Sequence, residues 1–478
     1  MAYKTGDRYQ MNLFPPVIDD YVAKDDPVRA YDAFVDILDF KELGIPVAPY
    51  KSGAHEYCPK KMLKLIIYGY SYGTRSSRKL ERSCHHNLSF VWLMGGLKPD
   101  YRTIARFRSD HAAAIKKVLK QCVRLCINLD LIEGNTLFTD GSSFRASASI
   151  RHTWTQERCK EHLEKLDKSI EKLVDETGRL DIAEEDLDSL VKINKELLDK
   201  ERIRAIVKDI SKELDDNSKA SLNTTDPDCV KTKSRQGTHA GYNAQITTDK
   251  KHGLIVNSET AASSQDYNQL SIQAEKAALM LEHKPKTIVT DCGYYSLKDI
   301  AKVDNDITVV MPSIKQAQEN KGLHPLKPFI KERFTYDSSQ DKYICPEGKD
   351  LTYAHASYDK KIYRSDASTC RSCRHFGVCT ASLRGRVINR MAEEDVASRL
   401  SDIYHSPEGQ KVYKLRKEKA ELPFGHIKRN LGAGQFMLRT RPKVDAELAV
   451  LSTCFNVARM ITLIGIPALL ARLHGTGC

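Results

Sequence analysis

The chain has 478 residues, with 75 Lys and Arg against 63 Asp and Glu and a net charge of +12. That length is too great for one ordinary domain and calls for roughly two to four modules. The positive balance favours a polyanionic partner, because each cation placed on a phosphate releases condensed counterions, although taken alone it also suits simple solubility. Met1 to Asp7 form no apolar leader and no segment reads as an uninterrupted membrane span. The expected setting is therefore the cytoplasm, without a membrane, where the 13 cysteines would not build a disulfide framework.

Residues 1–130 read as helical and basic. Pro59 suits the first turn of a helix through Lys60–Ile67, Ser76 and Ser77 can cap the next, and Asp100 caps a third, Tyr101–Arg108, followed by Ala112–Ile127. Arg102 and Arg106 project from the third helix, where they would either reach DNA phosphates or form a solvated basic face.

Residues 131–155 begin an α/β core. Leu137-Phe138-Thr139 is a short apolar and β-branched run ending in Asp140-Gly141, the pattern of a buried strand giving way to a functional loop. From 156 to 215 the pattern changes. Leu163, Leu166, Ile170 and Leu173, then Leu187, Leu190, Ile193 and Leu197, follow three-four spacing, which predicts an antiparallel helical hairpin serving as an arm or oligomer contact.

The core resumes over 216–310. Gly241–Thr248 and Leu254–Asn257 predict a β-hairpin, Gln265–His283 a helix, and Thr287–Thr290 a strand ending in Asp291-Cys292-Gly293. Residues 311–395 form a cysteine-rich insertion. Cys345, Cys370, Cys373 and Cys379 supply a tetrahedral thiolate set for zinc, with His375 as a possible substitute ligand, or remain four reduced thiols. The Tyr- and Lys-rich stretch that they bracket is not expected to make a core of its own. Cys122, Cys126 and Cys454 fall among apolar residues and read as core fillers, and Cys84-His85-His86 as loop or surface.

Residues 396–478 complete the core with helices. Glu421 lies in a helical context, with Pro423 and Gly425 set to kink the helix after it, and Ile461–Ala471 is expected to be a buried C-terminal helix. Asp140, Asp291 and Glu421 together make a hard oxygen set for Mg²⁺ or Mn²⁺, ions suited to phosphodiester chemistry.

With the acids on these elements, the chain resembles the DDE transposases of bacterial insertion sequences. The likeness rests on Thr139-Asp140-Gly141-Ser142, Gly241-Tyr242-Asn243-Ala244-Gln245, Asp291-Cys292-Gly293-Tyr294 and Glu421 to Lys428 leading to Asn456, in family order. It implies a ribonuclease-H-like mixed sheet flanked by helices, behind an N-terminal helical domain that binds element ends. Also implied are metal-dependent cleavage and strand transfer on double-stranded DNA, an oligomeric synaptic complex, and a nucleoid-associated cytoplasmic location. Lys428, Arg429 and Lys417 would hold the DNA backbone. A related signature places a Tyr seven and an Arg four residues before the glutamate and a Lys seven after it. Lys428 fits, on the face of Glu421 two turns on, whereas Tyr413 and Arg416 each stand one residue too far away, at the expense of Lys414 and Lys417. In some relatives a tryptophan takes up a flipped base while a DNA hairpin forms; the two tryptophans here, Trp92 and Trp154, do not stand beside the glutamate, which leaves the hairpin route open and offers Tyr294 or Tyr295 as the stacking surface instead. A nuclease without strand transfer and an idle DNA-binding regulator are the rival readings.

Overall fold

Proline and aspartate start the amino-terminal helices where their chemistry suggests. In the computed structural model, which describes residues 17–47, 56–183, 187–216, 219–234, 237–320, 328–358, 360–391 and 393–475, Pro59 opens the helix Pro59–Ser71. Asp100 accepts the Thr103 amide at 2.7 Å to cap Tyr101–Asp110. Ser76 stands at the cap position of Ser77–His86 but accepts no capping bond. The neighbouring Ser77 hydroxyl instead accepts from Arg108 at 2.6 Å. Met1–Asp7 lie outside the described residues.

The chain forms two units. The first joins 1–133, 141–265 and 421–478. Its centre is the helix Arg441–Ile464, which packs against Ala112–Asn128, Pro59–Ser71 and the strand Ile255–Ala261. Cys122, Cys126 and Cys454 are buried there as expected. The described helices between Ile18 and Asn128 thus share a unit with the helix Arg441–Ile464 instead of forming one alone. That helix is long and apolar enough to cross a membrane, but two-thirds of its apolar window (67%) is buried. A core helix passes the same test of length and composition. The expected buried helix over Ile461–Ala471 is a correction: Gly465 breaks it at φ 81°, Pro467 starts a new helix, Ile466–Gly475, and most of this segment is partly or fully exposed.

The hairpin is present as Gly237–Asp249 and Ile255–Ala261, antiparallel, with Asn243 opposite Ala261. On the other side of Gly237–Asp249 lies Val230–Ser234. The expected arm is present as helices Gln156–Ala183 and Leu187–Asp216. Leu166 and Leu173 are buried, while the side chains of Leu187, Leu190 and Ile193 lie outside the described residues.

The second unit joins 134–140 to 266–420. The strands Thr136–Arg145, Thr287–Val289 and Thr308–Val310 run parallel, with Phe138 opposite Val289 and Val289 opposite Val310. Both parallel and antiparallel pairs occur with packed helices, an α/β architecture with mixed pairing. Two expectations need correction. The strand through Asp140 does not end there but runs on to Arg145, because its second half is paired beside Gly237–Asp249. The helix expected from Gln265 begins only at Leu270, after Asn268 adopts a left-handed φ of 61°.

The cysteine-rich segment also differs from expectation, for it builds its own core. Five antiparallel strands, ordered 387–391, 360–365, 350–357, 342–344, 335–337, bury Phe334, Tyr343, Leu351, Tyr363 and Ile388. Tyrosine can do this because its ring packs while its hydroxyl finds a partner. Tyr336 and Tyr363 both donate to Asp341, at 2.6 and 2.5 Å, and hold its carboxyl down at about 2.

Candidate active site

Asp140 lies on the strand Thr136–Arg145, and Asp291 follows the end of the adjacent parallel strand Thr287–Val289 at the matching position. Phe138 and Val289 are register partners, and each acid is two residues further on. Side chains two apart on an extended chain share a sheet face, so the acids lie on the face that carries Phe138 and Val289. On that face Phe138, Val289, Val310 and Ala420 form a buried cluster. Ala420 belongs to the helix Arg416–Gly425, and Glu421 is the next residue. Three of the four residues of this apolar floor, Phe138, Val289 and Ala420, stand one or two positions before a predicted acid.

Asp140 is mostly buried and pairs with Arg416 at 3.2 Å. Asp291 accepts the Gly293 amide at 2.8 Å and caps a short turn, Cys292–Tyr294. Tyr294 is fully buried, which removes it as a base-stacking surface and leaves Tyr295, which is partly exposed. Burial pushes the Tyr294 hydroxyl well above its usual range, and the charges of Asp266, Asp140 and Asp291 push in the same direction against Arg416. The acid at 266 was not anticipated. It sits in Ser263-Ser264-Gln265-Asp266-Tyr267-Asn268, where the apolar pattern suggested helix, and its polar, turn-rich neighbourhood was the available signal.

Arg416 and Tyr413 belong to the surroundings of Asp140 and its floor. Tyr413 packs against the Phe138 cluster and meets Tyr404 edge-on at 5.1 Å. Its hydroxyl is pushed up by burial, against the pull of Arg416. Lys417 and Glu421 are exposed.

Lys428 lies in the first unit. Pro423 is accommodated inside the helix, which continues into a π-helical turn, His426–Asn430, closed by Leu431 donating to the His426 carbonyl. A π turn takes five residues per hydrogen bond, so a two-turn count from Glu421 to Lys428 no longer sets a shared face. The Lys428 ammonium donates to Ser142 Oγ at 2.6 Å and the Ser143 carbonyl at 2.8 Å, over the Phe144 ring at 4.5 Å. Burial pushes its pKa down. Arg429 is exposed.

The arginines of Tyr101–Asp110 divide. Arg102 and Arg106 are exposed, and Arg108 is buried against Tyr70 Oη, the Arg75 carbonyl and Ser77. Trp92 donates to Asp19 and Trp154 lies under Arg158. Cys84 is buried at the end of its helix.

Cys345, Cys370, Cys373 and Cys379 line one cavity of about 40 Å³, together with His375 and Glu347. Three of the sulfurs accept backbone amides, from Lys349, Arg386 and His375. Among the described residues, however, no three His, Cys, Asp or Glu side chains are grouped so as to hold a metal ion. For magnesium this is no obstacle, because it is commonly bound through one or two protein carboxylates, with waters and substrate phosphates completing its shell. Asp140 and Asp291 are two carboxylates that follow register partners of neighbouring parallel strands. Zinc needs its donors drawn closer than they stand.

Comparison with known families gives two partial matches, neither of which includes Asp140 or Asp291. Residues 16–110 match the family described as a transposase domain (DUF772), and residues 344–461 match a transposase DDE domain. The second match includes the cysteine cluster, Glu421 and Lys428. No curated protein and no solved structure matches the chain.

Proposed function

We propose that this chain, of which residues 16–110 match a transposase domain and residues 344–461 a transposase DDE domain, is a DDE transposase of an insertion sequence in which Asp140, Asp291 and Glu421 are the catalytic acids of a ribonuclease-H-like core that cleaves element ends and joins them to target DNA. The observation that carries the reading is the shared floor of Phe138, Val289 and Ala420, each one or two residues before a predicted acid. In this reading the acids supply oxygen ligands to Mg²⁺ or Mn²⁺. When bound, such an ion lowers the pKa of an attacking water and offsets charge on the leaving oxygen. Arg416, paired with Asp140, holds that carboxylate in place and carries a cation to the scissile phosphate region. Lys417, Arg429, Arg102 and Arg106 are exposed cations available to DNA phosphates, and Tyr413 supports the floor beneath Arg416. Assembly of two or more copies on paired ends, acting in the cytoplasm on the nucleoid, completes the proposal.

The cysteine cluster supports a narrower proposal, that zinc draws the four thiolates together. Its support is the common cavity and the three N–H···S bonds, the outer contacts that stabilise thiolate charge.

The test of function uses linear duplexes cut from the flanks of the gene. Asp140→Ala, Asp291→Ala and Glu421→Ala should each lower cleavage by at least about a thousandfold, the scale of several kcal/mol of lost charge stabilisation. End binding, which rests on Lys and Arg, should persist. Wild-type cleavage by any of the three would remove that residue from the site. Cleavage without joining of a 3′ end to plasmid DNA would leave the nuclease reading.

A further inference from the structure

The helix Ser77–His86 is held in one rotational setting. Ser77, Leu80 and Cys84 fall at three-four spacing and are its buried residues. The Ser77 hydroxyl accepts from the buried guanidinium of Arg108, which also donates to Tyr70 Oη and the Arg75 carbonyl. Leu80 lies against Gly69 of the helix Pro59–Ser71, where a Cβ would find no room. With these two locks in place, the opposite arc of the helix carries Arg78, Lys79, Arg82, His85 and His86, every one exposed. On the neighbouring helix Tyr101–Asp110, Arg102 adds to the row. Its guanidinium stands 5.8 Å from the centre of the Tyr101 ring and that of Arg78 5.0 Å, and the Arg102 Nε donates to Tyr101 Oη at 3.2 Å.

This row works against its own helix. Arg78 and Lys79 stand in the first turn, which holds no acid although the macrodipole favours negative charge there. Arg78 with Arg82 and Lys79 with Arg82 are like charges four and three residues apart, pairs that destabilise a helix. Glu81, the one acid of the helix, is partly buried at the edge of the arc. A face that serves solubility alone is better built of mixed signs, whereas an external anion relieves both costs at once. The exposed face of a helix is convex and offers a small anion no cavity. A row spread over ten residues, about 15 Å of helix, matches a duplex, whose strands together carry one negative charge per about 1.7 Å of axis. Stacking on Tyr101 orders Arg78 and Arg102 beforehand, which lowers the cost of immobilising them on a partner.

We infer that the row on Ser77–His86, joined by Arg102, lies along the phosphate backbone of duplex DNA. The inference rests on the proposed action on DNA and gives that action a binding surface separate from the acids. Its contacts are to phosphates, so they set the strength and position of binding and serve element-end and unrelated duplexes alike.

The test is fluorescence anisotropy of a labelled duplex cut from the flank of the gene, and of an unrelated duplex, titrated with full-length protein in EDTA across a salt series. Arg78→Gln with Arg82→Gln should lower the slope of log affinity against log salt by about two units on both duplexes, since each phosphate contact contributes about 0.9. The thermal midpoint of that variant should match the wild type. Arg78→Lys with Arg82→Lys retains the charges and should retain the slope. Lys208→Gln with Lys212→Gln, which removes exposed cations from the helix Leu187–Asp216, should also leave the slope as it is. An unchanged slope in the Arg78→Gln, Arg82→Gln variant, an equal fall in the Lys208→Gln, Lys212→Gln variant, or loss of the thermal transition in the former overturns the inference. Asp140→Ala separates this outcome from the catalytic reading. Wild-type cleavage by Asp140→Ala removes the proposed acid chemistry whatever the slopes show, whereas an inactive Asp140→Ala beside an Arg78→Gln, Arg82→Gln variant of wild-type slope removes only the role of the row.

Discussion

Lys428 shows how a charge that suits DNA in sequence can be engaged within the protein. Its ammonium is held by Ser142 and the Ser143 carbonyl and rests on Phe144. Those residues are the continuation of the Asp140 strand, so we propose that Lys428 steadies that strand. Hydrogen bonds from a charged donor contribute about 1.5–3 kcal/mol each when a partner is lost, and an exposed phosphate contact contributes about one unit of salt slope instead. Lys428→Met should then lower the urea midpoint of unfolding while the slope of log affinity against log salt stays at its wild-type value. A slope reduced by about one, with stability intact, would return Lys428 to the phosphate backbone. Arg429, next in sequence and exposed, should show the opposite behaviour: Arg429→Ala reduces the slope and leaves the midpoint alone.

Among the elements, those fixed by local chemistry could be read from the sequence, and those fixed by distant partners could not. Pro59 and Asp100 announce their helices because a missing N–H and a capping carboxylate act within a few residues. The Thr287–Val289 strand and the turn at Asp291 were equally legible. Nothing near Gly141, by contrast, says that the Asp140 strand continues to Arg145; that depends on pairing with a segment about a hundred residues away. The delayed start at Leu270 depends on Ser296 and Asp299 in the same way. The cysteine-rich segment misled because tyrosine reads as polar and loop-like until Asp341 is seen to satisfy two hydroxyls at once. Its independent core sets a clear expectation for zinc. Purified protein should carry about one zinc per chain, lost in the Cys370→Ser, Cys373→Ser double variant, while near-ultraviolet tyrosine signals from the five-stranded sheet persist. Elemental analysis showing no zinc in wild-type protein purified without chelators would leave four reduced thiols.

At the scale of the molecule, the first unit is built from stretches at both ends of the chain, and Glu447 is where they meet. It is buried on the helix Arg441–Ile464 and accepts from Arg75 at 2.9 Å and from the Met437 and Leu438 amides. Burial raises its pKa, while Arg75 and the two amides pull it back down. Arg75→Met would remove the charged partner, so the Glu447 pKa should rise further. A carboxyl whose folded pKa lies above its unfolded value loses stability as pH rises through the folded value, because the fold must then bury the charge. Below the unfolded carboxyl range, near pH 4, that loss should vanish. Breaking a buried pair by removing one member costs about 3–5 kcal/mol. Part of this cost is independent of pH, since Arg75 also donates to the Gln435 and Gly432 carbonyls. The deficit of Arg75→Met relative to wild type should therefore be modest at pH 5, grow towards pH 8, and approach that range there, as measured by urea unfolding at each pH. A deficit that stays constant across the interval would mean that removing Arg75 leaves the protonation of Glu447 in the fold as it is in the wild type, and that the carbonyl contacts carry the whole loss.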